Sequence, residues 1–322
     1  MKQYENISLK AYNTFGIDVQ ARRLLLLEPG DEVPPLAAPY LVLGAGSDVV
    51  FTRDYEGTVV VLAHQCRVER GQDDTVTAWG GMTMDDLVQW TLDHDLYGME
   101  NLSAIPGTVG ASVVQNVGAY GVEAKDLVVA VHAYDLRDRA YVDFSAGQCC
   151  FAYRTSLFKQ QPGRYLVLGV TYRLSSTFTP VLTYRALESL PHGTAQQLRE
   201  AIAALRWQKL PRPEEHGSAG SFFKNPVVDE ATYRRIRDAY PDMPDAHPEP
   251  QNHYKLSAGW LIDRAGWKGR VQGGAGVWPH NALVLYNAGG CTGDEVVALA
   301  QTIQQDVLSK FGVALVPEAI IV

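Results

Sequence analysis

Residues 98–121, which include the run IPGTVGASVVQNVGAYG at 105–121, are the most constraining feature of this chain. They carry five glycines and show neither a helical nor an alternating apolar period. Glycine leaves backbone N–H and C=O groups unscreened by side chains, and such a stretch is entropically costly to order as a mere linker. Long irregular loops are usually functional. We therefore predict a loop that lies against a flat, polar cofactor, with an unusual structural loop as the alternative.

The flanking sequence predicts a mixture of strands and helices. Apolar runs bounded by glycine, proline or charge indicate strands, and Thr83 is placed to cap a helix that follows it. An amphipathic helix is predicted at 194–210, before the proline-rich LPRPEEHG. The predicted strands of this half are 21–28, 39–47, 57–63, 126–136 and 165–174.

The last third of the chain predicts a further α+β region. A strand is expected at 220–228, followed by a helix that Asp229 caps and a proline-rich surface loop at 241–251. Thr292 and Glu295 form a T-x-x-E capping box for a long helix that stops at Gly312. Residues 313–322 are expected to form a closing strand.

Composition excludes several classes of protein. The 322 residues suffice for two or three domains, and 46% hydrophobic with 20% charged residues is typical of a folded globular chain. A net charge of −8 argues against broad nucleic-acid binding. No apolar membrane span or signal peptide is evident, so a cytoplasmic protein without membrane contact is expected. The cysteines lack CxxC spacing and are expected to be reduced structural thiols: Cys66, Cys149, Cys150 and Cys291.

The GAGS turn at 44–47 follows an apolar strand but does not complete a dinucleotide-binding fingerprint. That motif needs a third glycine at position 49 at the start of a helix, whereas Val49, Val50 and Phe51 are typical of a strand. A glycine pair can still bring backbone amides to a pyrophosphate. A tight turn alone remains the alternative at this point.

Polar residues stand beside aromatic or apolar ones at three further places. Arg154 and Lys159 lie in FAYRTSLFK, Ser221 lies in GSAGSFFKNP with Lys224 and Asn225, and Glu318 lies in an apolar C-terminal run. A carboxylate in such a run must be exposed, paired or in a cleft. No HxxxH, HxH or HExxH pattern, GxSxG elbow or P-loop is present, so no metal site is predicted and hydrolase or nucleoside-triphosphatase activity has little support.

In their order, the motifs of this chain resemble one family, UDP-N-acetylenolpyruvoylglucosamine reductase, over nearly the whole length. Each motif alone is weakly specific, whereas the set in register is specific. The motifs are NTFGI (13–17), GAGSDVVF (44–51), IPGTVGASVVQNVGAYG (105–121), YRTS (153–156), GSFFKNP (220–226), AGWLID (258–263), HNALVL (280–285) and PE (317–318).

The resemblance implies an α+β fold with a two-part FAD-binding region of the vanillyl-alcohol-oxidase type and a C-terminal α+β substrate-binding domain. The implied domains are 1–67, to which a strand from 313–322 returns, 68–210, and 211–312. Non-covalent FAD is the implied cofactor and NADPH the co-substrate. Residues implied to hold FAD are Gly44, Gly46, Ser47, Asp48, Pro106, Gly107, Val109, Gly110, Ala111, Gln115, Asn116 and Gly118.

The implied activity is the reduction of a UDP-sugar enolpyruvyl ether by a monomer, as a step of bacterial cell-wall precursor synthesis. Arg154 matches the family's arginine that stabilises the enolate-like charge, Ser221 its general acid, and Glu318 its active-site glutamate. The segment at 182–187 resembles the tyrosine loop of the family's longer subtype. Implied substrate contacts are Tyr153, Tyr184, Lys209, Lys224, Asn225 and Asn281.

One residue departs from the family pattern, and two alternatives remain. Asp48 stands where the family commonly has asparagine, and an ionised carboxylate cannot donate to a phosphate oxygen. Another FAD-dependent oxidase or dehydrogenase could share the scaffold, but it would not require the motifs at 220–226 and 317–318. A catalytically inactive flavin- or nucleotide-binding protein is the other alternative, and the joint presence of Arg154, Ser221 and Glu318 argues against it.

Overall fold

A computed structural model describes residues 1–322 of the chain, apart from the side chain of Arg185. The chain divides into two compact units, and each unit is built from separate stretches of sequence. The first unit comprises Met1–Ile7, Ala21–Ala45 and Tyr55–Arg206, and the second comprises Ser8–Gln20, Gly46–Asp54 and Trp207–Val322.

The strands are short to medium in length and run through the whole sequence. In chain order they are β1 (Lys2–Ser8), β2 (Gln20–Leu27), β3 (Tyr40–Leu43), β4 (Val49–Val50), β5 (Tyr55–Leu62), β6 (Val68–Arg70), β7 (Thr75–Trp79), β8 (Gly118–Ala119), β9 (Val122–Glu123), β10 (Val128–Asp135), β11 (Ala140–Ser145), β12 (Tyr165–Arg173), β13 (Ser218–Ser221), β14 (Val227–Asp229), β15 (His247–Glu249), β16 (His253–Lys255), β17 (Val271–Gln272), β18 (Ala275–Val277), β19 (Val284–Asn287) and β20 (Ile320–Ile321).

The α-helices are α1 (Met84–Asp93), α2 (Val109–Gln115), α3 (Leu157–Gln160), α4 (Ala195–Lys209), α5 (Glu230–Ala239), α6 (Ala258–Arg264) and α7 (Gly293–Phe311). Short 3-10 turns lie at Lys10–Tyr12, Glu100–Leu102, Ala124–Asp126, Ala146–Cys149 and Arg185–Leu187.

In the first unit, two larger sheets accompany the two-stranded sheet β8-β9. A four-stranded sheet has the order β1-β2-β5-β3, with parallel pairing of β5 to β2 and β3, and an antiparallel five-stranded sheet has the order β11-β10-β12-β7-β6. The main core joins the apolar faces of α1 and α2 to the five-stranded sheet. Val109 and Val113 of α2 and Tyr172 of β12 are fully buried in it. Burial of this apolar surface fixes α2 on the sheet.

In the second unit, an antiparallel sheet of order β13-β19-β18-β17 lies with a three-stranded sheet of order β14-β16-β15. The last strand, β20, pairs in parallel with β4. The long helix α7 buries Val296, Leu299, Ile303, Val307 and Phe311 along one face, as expected of an amphipathic helix that packs on a core.

Local capping signals place the helices correctly. Thr83 caps α1 by accepting from the Asp86 N–H, and Asp229 caps α5 by accepting from the Thr232 N–H. The capping box of Thr292 and Glu295 opens α7, and Gly312 ends it with a φ of 66°. These predictions are confirmed, because a cap depends on neighbours three residues away and can be read locally.

The prediction of an irregular loop over 98–121 is wrong for its central part, since residues 109–115 form α2. Thr108 caps this helix, and Asn116 ends it in the left-handed conformation with a φ of 46°. Glycine is normally unfavourable inside a helix. Here a Cβ on Gly110 would lie 2.8 Å from the Val167 carbonyl oxygen and 3.2 Å from that of Gly80. The glycine permits close packing against the sheet, and the packing stabilises the helix.

Two predicted strands are shorter than expected. The strand predicted at 220–228 is split into β13 and β14, so Lys224 and Asn225 lie outside both. The strand predicted at 313–322 is reduced to β20, preceded by an isolated bridge between Pro317 and Phe223. Pro226 and Pro317 lack an N–H donor, which interrupts a regular ladder at both places.

Candidate active site

The start of α2 is tied to neighbouring backbone on all sides. The Gly107 carbonyl accepts from the Met84 N–H at 3.0 Å, the Val109 N–H donates to Met82 at 2.8 Å, and the Gly110 N–H donates to Gly80 at 2.9 Å. Gly107 has a φ of 137°, which only glycine adopts readily. The first turn of α2 is therefore tied by main-chain hydrogen bonds to residues 80–84.

Gly44, in the GAGS turn, packs closely against the start of α2. A Cβ on Gly44 would lie 2.8 Å from the Ala111 Cβ and 3.1 Å from the Thr108 Oγ1. The first glycine of the turn and the glycine-rich segment, which the sequence singled out separately, are thus in contact. Together they present backbone with small side chains, as a cofactor pyrophosphate or a flat ring requires.

The end of α2 is organised by Asn116, which is fully buried. Its Nδ2 donates to the Glu123 carboxylate at 3.1 Å and to the Ala152 carbonyl at 3.0 Å, while its Oδ1 accepts from the Lys125 N–H at 3.0 Å. Both N–H groups of this buried amide are thus engaged in holding the chain, and its oxygen accepts one bond more. Asn116 therefore fixes the segment around 152 to the end of α2.

Arg154 lies at the end of α2. Its Nη2 donates to the Gly118 carbonyl at 2.9 Å, and its guanidinium carbon lies 5.3 Å from the centre of the Tyr153 ring. Nearby, the Ser156 Oγ donates to the Val114 carbonyl at 2.8 Å, and the Lys159 Nζ bonds to the Gln115 side chain. Arg154 also has a φ of 53°, a strained value that often marks a functional position.

Sequence reasoning missed several residues that organise this region. The buried Asn101 donates from Nδ2 to the Tyr120 carbonyl at 2.8 Å and to the Val181 carbonyl at 2.9 Å. The Arg206 Nε donates to the Ala104 carbonyl at 3.1 Å, and burial lowers the pKa of Arg206. Asn101 is 19 and 80 residues from its partners, so no local pattern identifies it.

Tyr184, the tyrosine that the resemblance assigns to the substrate, rests on Tyr120. Their ring centres are 5.3 Å apart with planes at 80°, which is the favoured edge-to-face arrangement. Tyr184 is nonetheless exposed on 45% of its surface. Burial raises the pKa of Tyr120, so this phenol is neutral at physiological pH. The two rings place the Tyr184 side chain beside the glycine-rich segment.

In the second unit, Gly46, Ser47 and Asp48 lie in a segment that other stretches of main chain approach closely. A Cβ on Gly46 would lie 2.2 Å from the Tyr12 carbonyl oxygen, and Gly46 has a φ of 63°. The Asp48 carbonyl accepts from the Ile320 N–H at 2.8 Å. Gly46 is thus required both by its conformation and by the close approach of another chain segment.

Ser221 and Glu318 are brought together by main-chain hydrogen bonds. The Phe222 carbonyl accepts from the Glu318 N–H at 2.8 Å, and the Lys224 N–H donates to the Val316 carbonyl at 2.9 Å. Phe222 and Phe223 are each only 1% exposed, as anchors of this segment. The polar side chains of Ser221, Lys224 and Glu318 are half-buried on either side of them.

The other predicted substrate contacts of the second unit are less closely grouped. The Asn225 Oδ1 accepts from the Ala258 N–H at 3.0 Å at the start of α6, and the Asn281 Oδ1 accepts from the Leu283 N–H at 3.1 Å. Lys209 is exposed at the end of α4. The two asparagine oxygens are therefore already engaged within the protein, which leaves their amide N–H groups as donors to a ligand.

No helix in the described chain has both the length and the apolar character needed to span a bilayer.

Comparison with known proteins identifies both parts of the chain. A family model described as the FAD binding domain matches residues 36–141, and one described as the UDP-N-acetylenolpyruvoylglucosamine reductase C-terminal domain matches residues 212–322. The predicted fold class, an α+β chain with an FAD-binding region and a C-terminal domain, is confirmed by these matches.

Individual relatives agree over the full length. The chain is 46% identical to the UDP-N-acetylenolpyruvoylglucosamine reductase of Pseudomonas aeruginosa, across 98% of this chain and 97% of that one. It is also 46% identical to that of Burkholderia ambifaria, across 98% and 95% of the two chains. The crystal structure of the Thermus caldophilus enzyme superposes with a TM-score of 0.67 at 23% identity, covers 99% of this chain and 98% of that one, and shows the same fold. The chain therefore belongs to the UDP-N-acetylenolpyruvoylglucosamine reductase family.

Proposed function

We propose that Arg154, Ser221 and Glu318 carry the chemistry of this FAD-containing oxidoreductase. The reaction is the NADPH-dependent reduction of UDP-N-acetylglucosamine enolpyruvate to UDP-N-acetylmuramate, in peptidoglycan precursor synthesis. The observation that supports the assignment is the hydrogen bond from the Glu318 N–H to the Phe222 carbonyl, which brings the main chain of Glu318 next to the residue that follows Ser221.

The residues of the first unit fit an FAD. Gly44 touches Thr108 and Ala111 so closely that a side chain at 44 would fill the space. The proposal assigns the cofactor to this backbone surface, with the remaining predicted FAD contacts at Gly46, Ser47, Asp48 and along 106–118. An FAD bound there would supply the transfer of a hydride from NADPH to C3 of the enolpyruvyl group.

Arg154 has the role of stabilising the charge that develops on the substrate. As C3 gains a hydride, negative charge spreads onto the enolpyruvyl carboxylate, and a fixed cation there lowers the barrier. A guanidinium fork matches a carboxylate in geometry and stays charged at all relevant pH values. The bond from Arg154 to the Gly118 carbonyl supports this role, because it holds the guanidinium in place before the substrate arrives.

Ser221 has the role of the general acid that protonates C2. Its hydroxyl gives up the proton to the enolate-like carbon, and the alkoxide must then be stabilised or reprotonated. Lys224 and Glu318 are the ionisable residues whose backbone lies next to this segment, so we assign them to stabilise or relay that proton. Gly220, which precedes Ser221, has a φ of 65°. Apart from its chain neighbours, no atom lies within 4 Å of the position that a Cβ on Gly220 would take, so the space beside this residue is open.

Binding of the UDP-sugar is assigned to exposed and half-buried polar groups. Tyr153 and Tyr184 offer ring faces and phenol donors in the first unit, while Lys209 and Lys224 offer charge for a diphosphate in the second. Asn225 and Asn281 offer amide N–H groups. The proposal further includes a monomer that acts in the cytoplasm, and a solution mass twice the 35.4 kDa of one chain would contradict the monomer.

Half-reaction kinetics test the role of Ser221. In Ser221→Ala we expect NADPH to reduce the flavin at the wild-type rate, because that step needs no proton from Ser221. Flavin reoxidation by the enolpyruvyl substrate should slow by about 10²- to 10⁴-fold. Stopped-flow absorbance of the flavin measures both steps separately.

Ser218→Ala, on the same strand β13, is the matched control and should leave both steps unchanged. Equal slowing of both half-reactions in Ser221→Ala, or equal effects of the two variants, would contradict the assignment of Ser221 as the acid.

A further inference from the structure

Three ligating side chains lie together in the first unit and have no part in the proposed reaction. A ring nitrogen of His64, the Sγ of Cys66 and a carboxylate oxygen of Asp86 all lie within 4.8 Å of one another. The His64 Nε2 is 2.7 Å from the Asp86 Oδ2. No local sequence pattern indicates this group, because Asp86 is 20 residues beyond Cys66 and lies in α1, whereas His64 and Cys66 lie between β5 and β6.

The backbone that carries His64 and Cys66 is fixed on both sides. Ala63 donates its N–H to the Leu27 carbonyl at 2.7 Å and accepts from the Trp79 Nε1 at 2.9 Å. Beyond the pair, the Arg67 carbonyl accepts from the Trp79 N–H at 2.9 Å. The short segment 64–66 therefore spans two anchored points, and its two ligands are positioned before any ion arrives.

Asp86 is fixed as well. It lies in the first turn of α1, where its Oδ2 accepts from the Thr83 Oγ1 at 2.6 Å. Its neighbour Asp85 is engaged elsewhere, by the Arg199 guanidinium at 2.9 Å and the Ala104 N–H at 2.7 Å. Asp86 is thus the carboxylate of this pair that bonds to His64.

We propose that His64, Cys66 and Asp86 bind one divalent transition-metal ion of the zinc class. A neutral imidazole, a thiolate and a carboxylate are one nitrogen, one sulfur and one oxygen ligand, the mixture that borderline-soft ions prefer over Mg²⁺ or Ca²⁺. The two negative charges balance a dication. Water fills the remaining position, since His64 and Cys66 are exposed.

Binding requires a small change at the site. Metal–ligand bonds of about 2.0–2.3 Å place ligand atoms roughly 3–4 Å apart. The His64 and Asp86 atoms must therefore separate slightly from 2.7 Å as the ion replaces the proton between them. Cys66 loses its thiol proton to solvent when its sulfur binds the ion, so binding releases protons and no redox step occurs.

Cobalt spectroscopy tests the proposal on the purified holoenzyme. Co²⁺ added under reducing, anaerobic conditions should give a thiolate-to-metal charge-transfer band and d–d bands in the difference spectrum. Zn²⁺ should abolish them by competition, with one equivalent sufficient. The charge-transfer band should be absent in Cys66→Ser, and the affinity for Zn²⁺ should fall by about tenfold or more in His64→Gln and Asp86→Asn.

Cys150→Ser is the matched control, because Cys150 is the other exposed cysteine among the described residues. It should bind Co²⁺ as the wild type does. A charge-transfer band that survives Cys66→Ser, or that disappears in Cys150→Ser, would overturn the proposal. So would the absence of any cobalt band in the wild type at an excess of Co²⁺. None of these readouts depends on reductase activity, so their failure leaves the proposed reaction untouched.

Discussion

Arg154 and the pair of Ser221 and Glu318 are placed by different means. In the first unit, the guanidinium of Arg154 holds its own position by donating to the Gly118 carbonyl. In the second unit, hydrogen bonds between main-chain atoms place Ser221 and Glu318, and their side chains take no part in them. A substitution of Arg154 therefore removes both a charge and a tether, whereas a substitution of Ser221 leaves these main-chain hydrogen bonds in place.

Among the variants that test this comparison, the largest effect is expected from Arg154→Lys, which keeps the charge but loses the planar guanidinium group. A lysine cannot donate to the Gly118 carbonyl and grip a carboxylate in the same geometry. We expect flavin reoxidation by the substrate to slow by roughly a hundredfold or more, with flavin reduction by NADPH unchanged. Stopped-flow absorbance measures both rates.

The exposed Arg173 at the end of β12 offers a control, since Arg173→Lys should leave both rates at the wild-type value. If Arg154→Lys retained the wild-type reoxidation rate, a positive charge at position 154 would suffice for the reaction. The hydrogen bond that tethers the Arg154 side chain to Gly118 would then not matter for catalysis.

A smaller effect is expected from Gly44→Ala, which tests whether backbone contact in the first unit builds the cofactor surface. The new Cβ would stand 2.8 Å from the Ala111 Cβ, so the turn and α2 must move apart. Overpacking of this kind costs about 1–3 kcal/mol, and we expect FAD affinity to fall by about tenfold. The fraction of FAD retained after gel filtration and the Kd from flavin fluorescence measure it.

Gly147→Ala is the matched control, since no atom lies within 4 Å of a Cβ at that position. It should retain FAD as the wild type does. Unchanged FAD affinity in Gly44→Ala would show that the contact with α2 is not part of the cofactor surface.

The smallest effect is expected on stability, from Glu100→Gln. Glu100 is 3% exposed, and burial raises the pKa of its carboxyl despite two contacts with the Gly98 N–H. A raised folded pKa favours the protonated native state, so the wild type loses stability as pH rises from the ordinary glutamate value through the folded pKa. Above that window, Glu100→Gln should be more stable by about 1 kcal/mol. Urea unfolding at several pH values measures this.

The exposed N-cap Asp229 provides the opposite case in the second unit. The Thr232 N–H lowers the pKa of this carboxyl, so its stabilising contribution is present above the ordinary aspartate value and is lost as pH falls through the folded pKa. Asp229→Asn should therefore differ from the wild type less at low pH than at neutral pH. If the stability difference from the wild type changed with pH in the same direction in Glu100→Gln and Asp229→Asn, the distinction between the buried and the exposed carboxylate would be contradicted.

Local signals in the sequence located the helix caps and the glycine segments, because each depends on neighbours a few residues apart. They missed α2, since the contact of Gly110 with the carbonyls of Gly80 and Val167 comes from distant parts of the chain. They likewise could not find Asn101, which bonds to two distant carbonyls. The roles of Arg154, Ser221 and Glu318 came from resemblance to a family, because isolated polar residues carry no role by themselves.

The alternation of the chain between its two units has a consequence for how genes of this family can recombine. The family model of the C-terminal domain begins at residue 212. The segment that it covers nevertheless belongs to the same compact unit as two earlier stretches of the chain, residues 8–20 and 46–54. The Ser218 N–H donates to the Thr14 carbonyl at 3.0 Å, and a Cβ on Gly293 would lie 1.9 Å from the Phe51 carbonyl. A single crossover near residue 212 would therefore give a hybrid in which one parent's C-terminal part must fit the other parent's residues 8–20 and 46–54. Hybrids that inherit all three stretches from one parent preserve this fit.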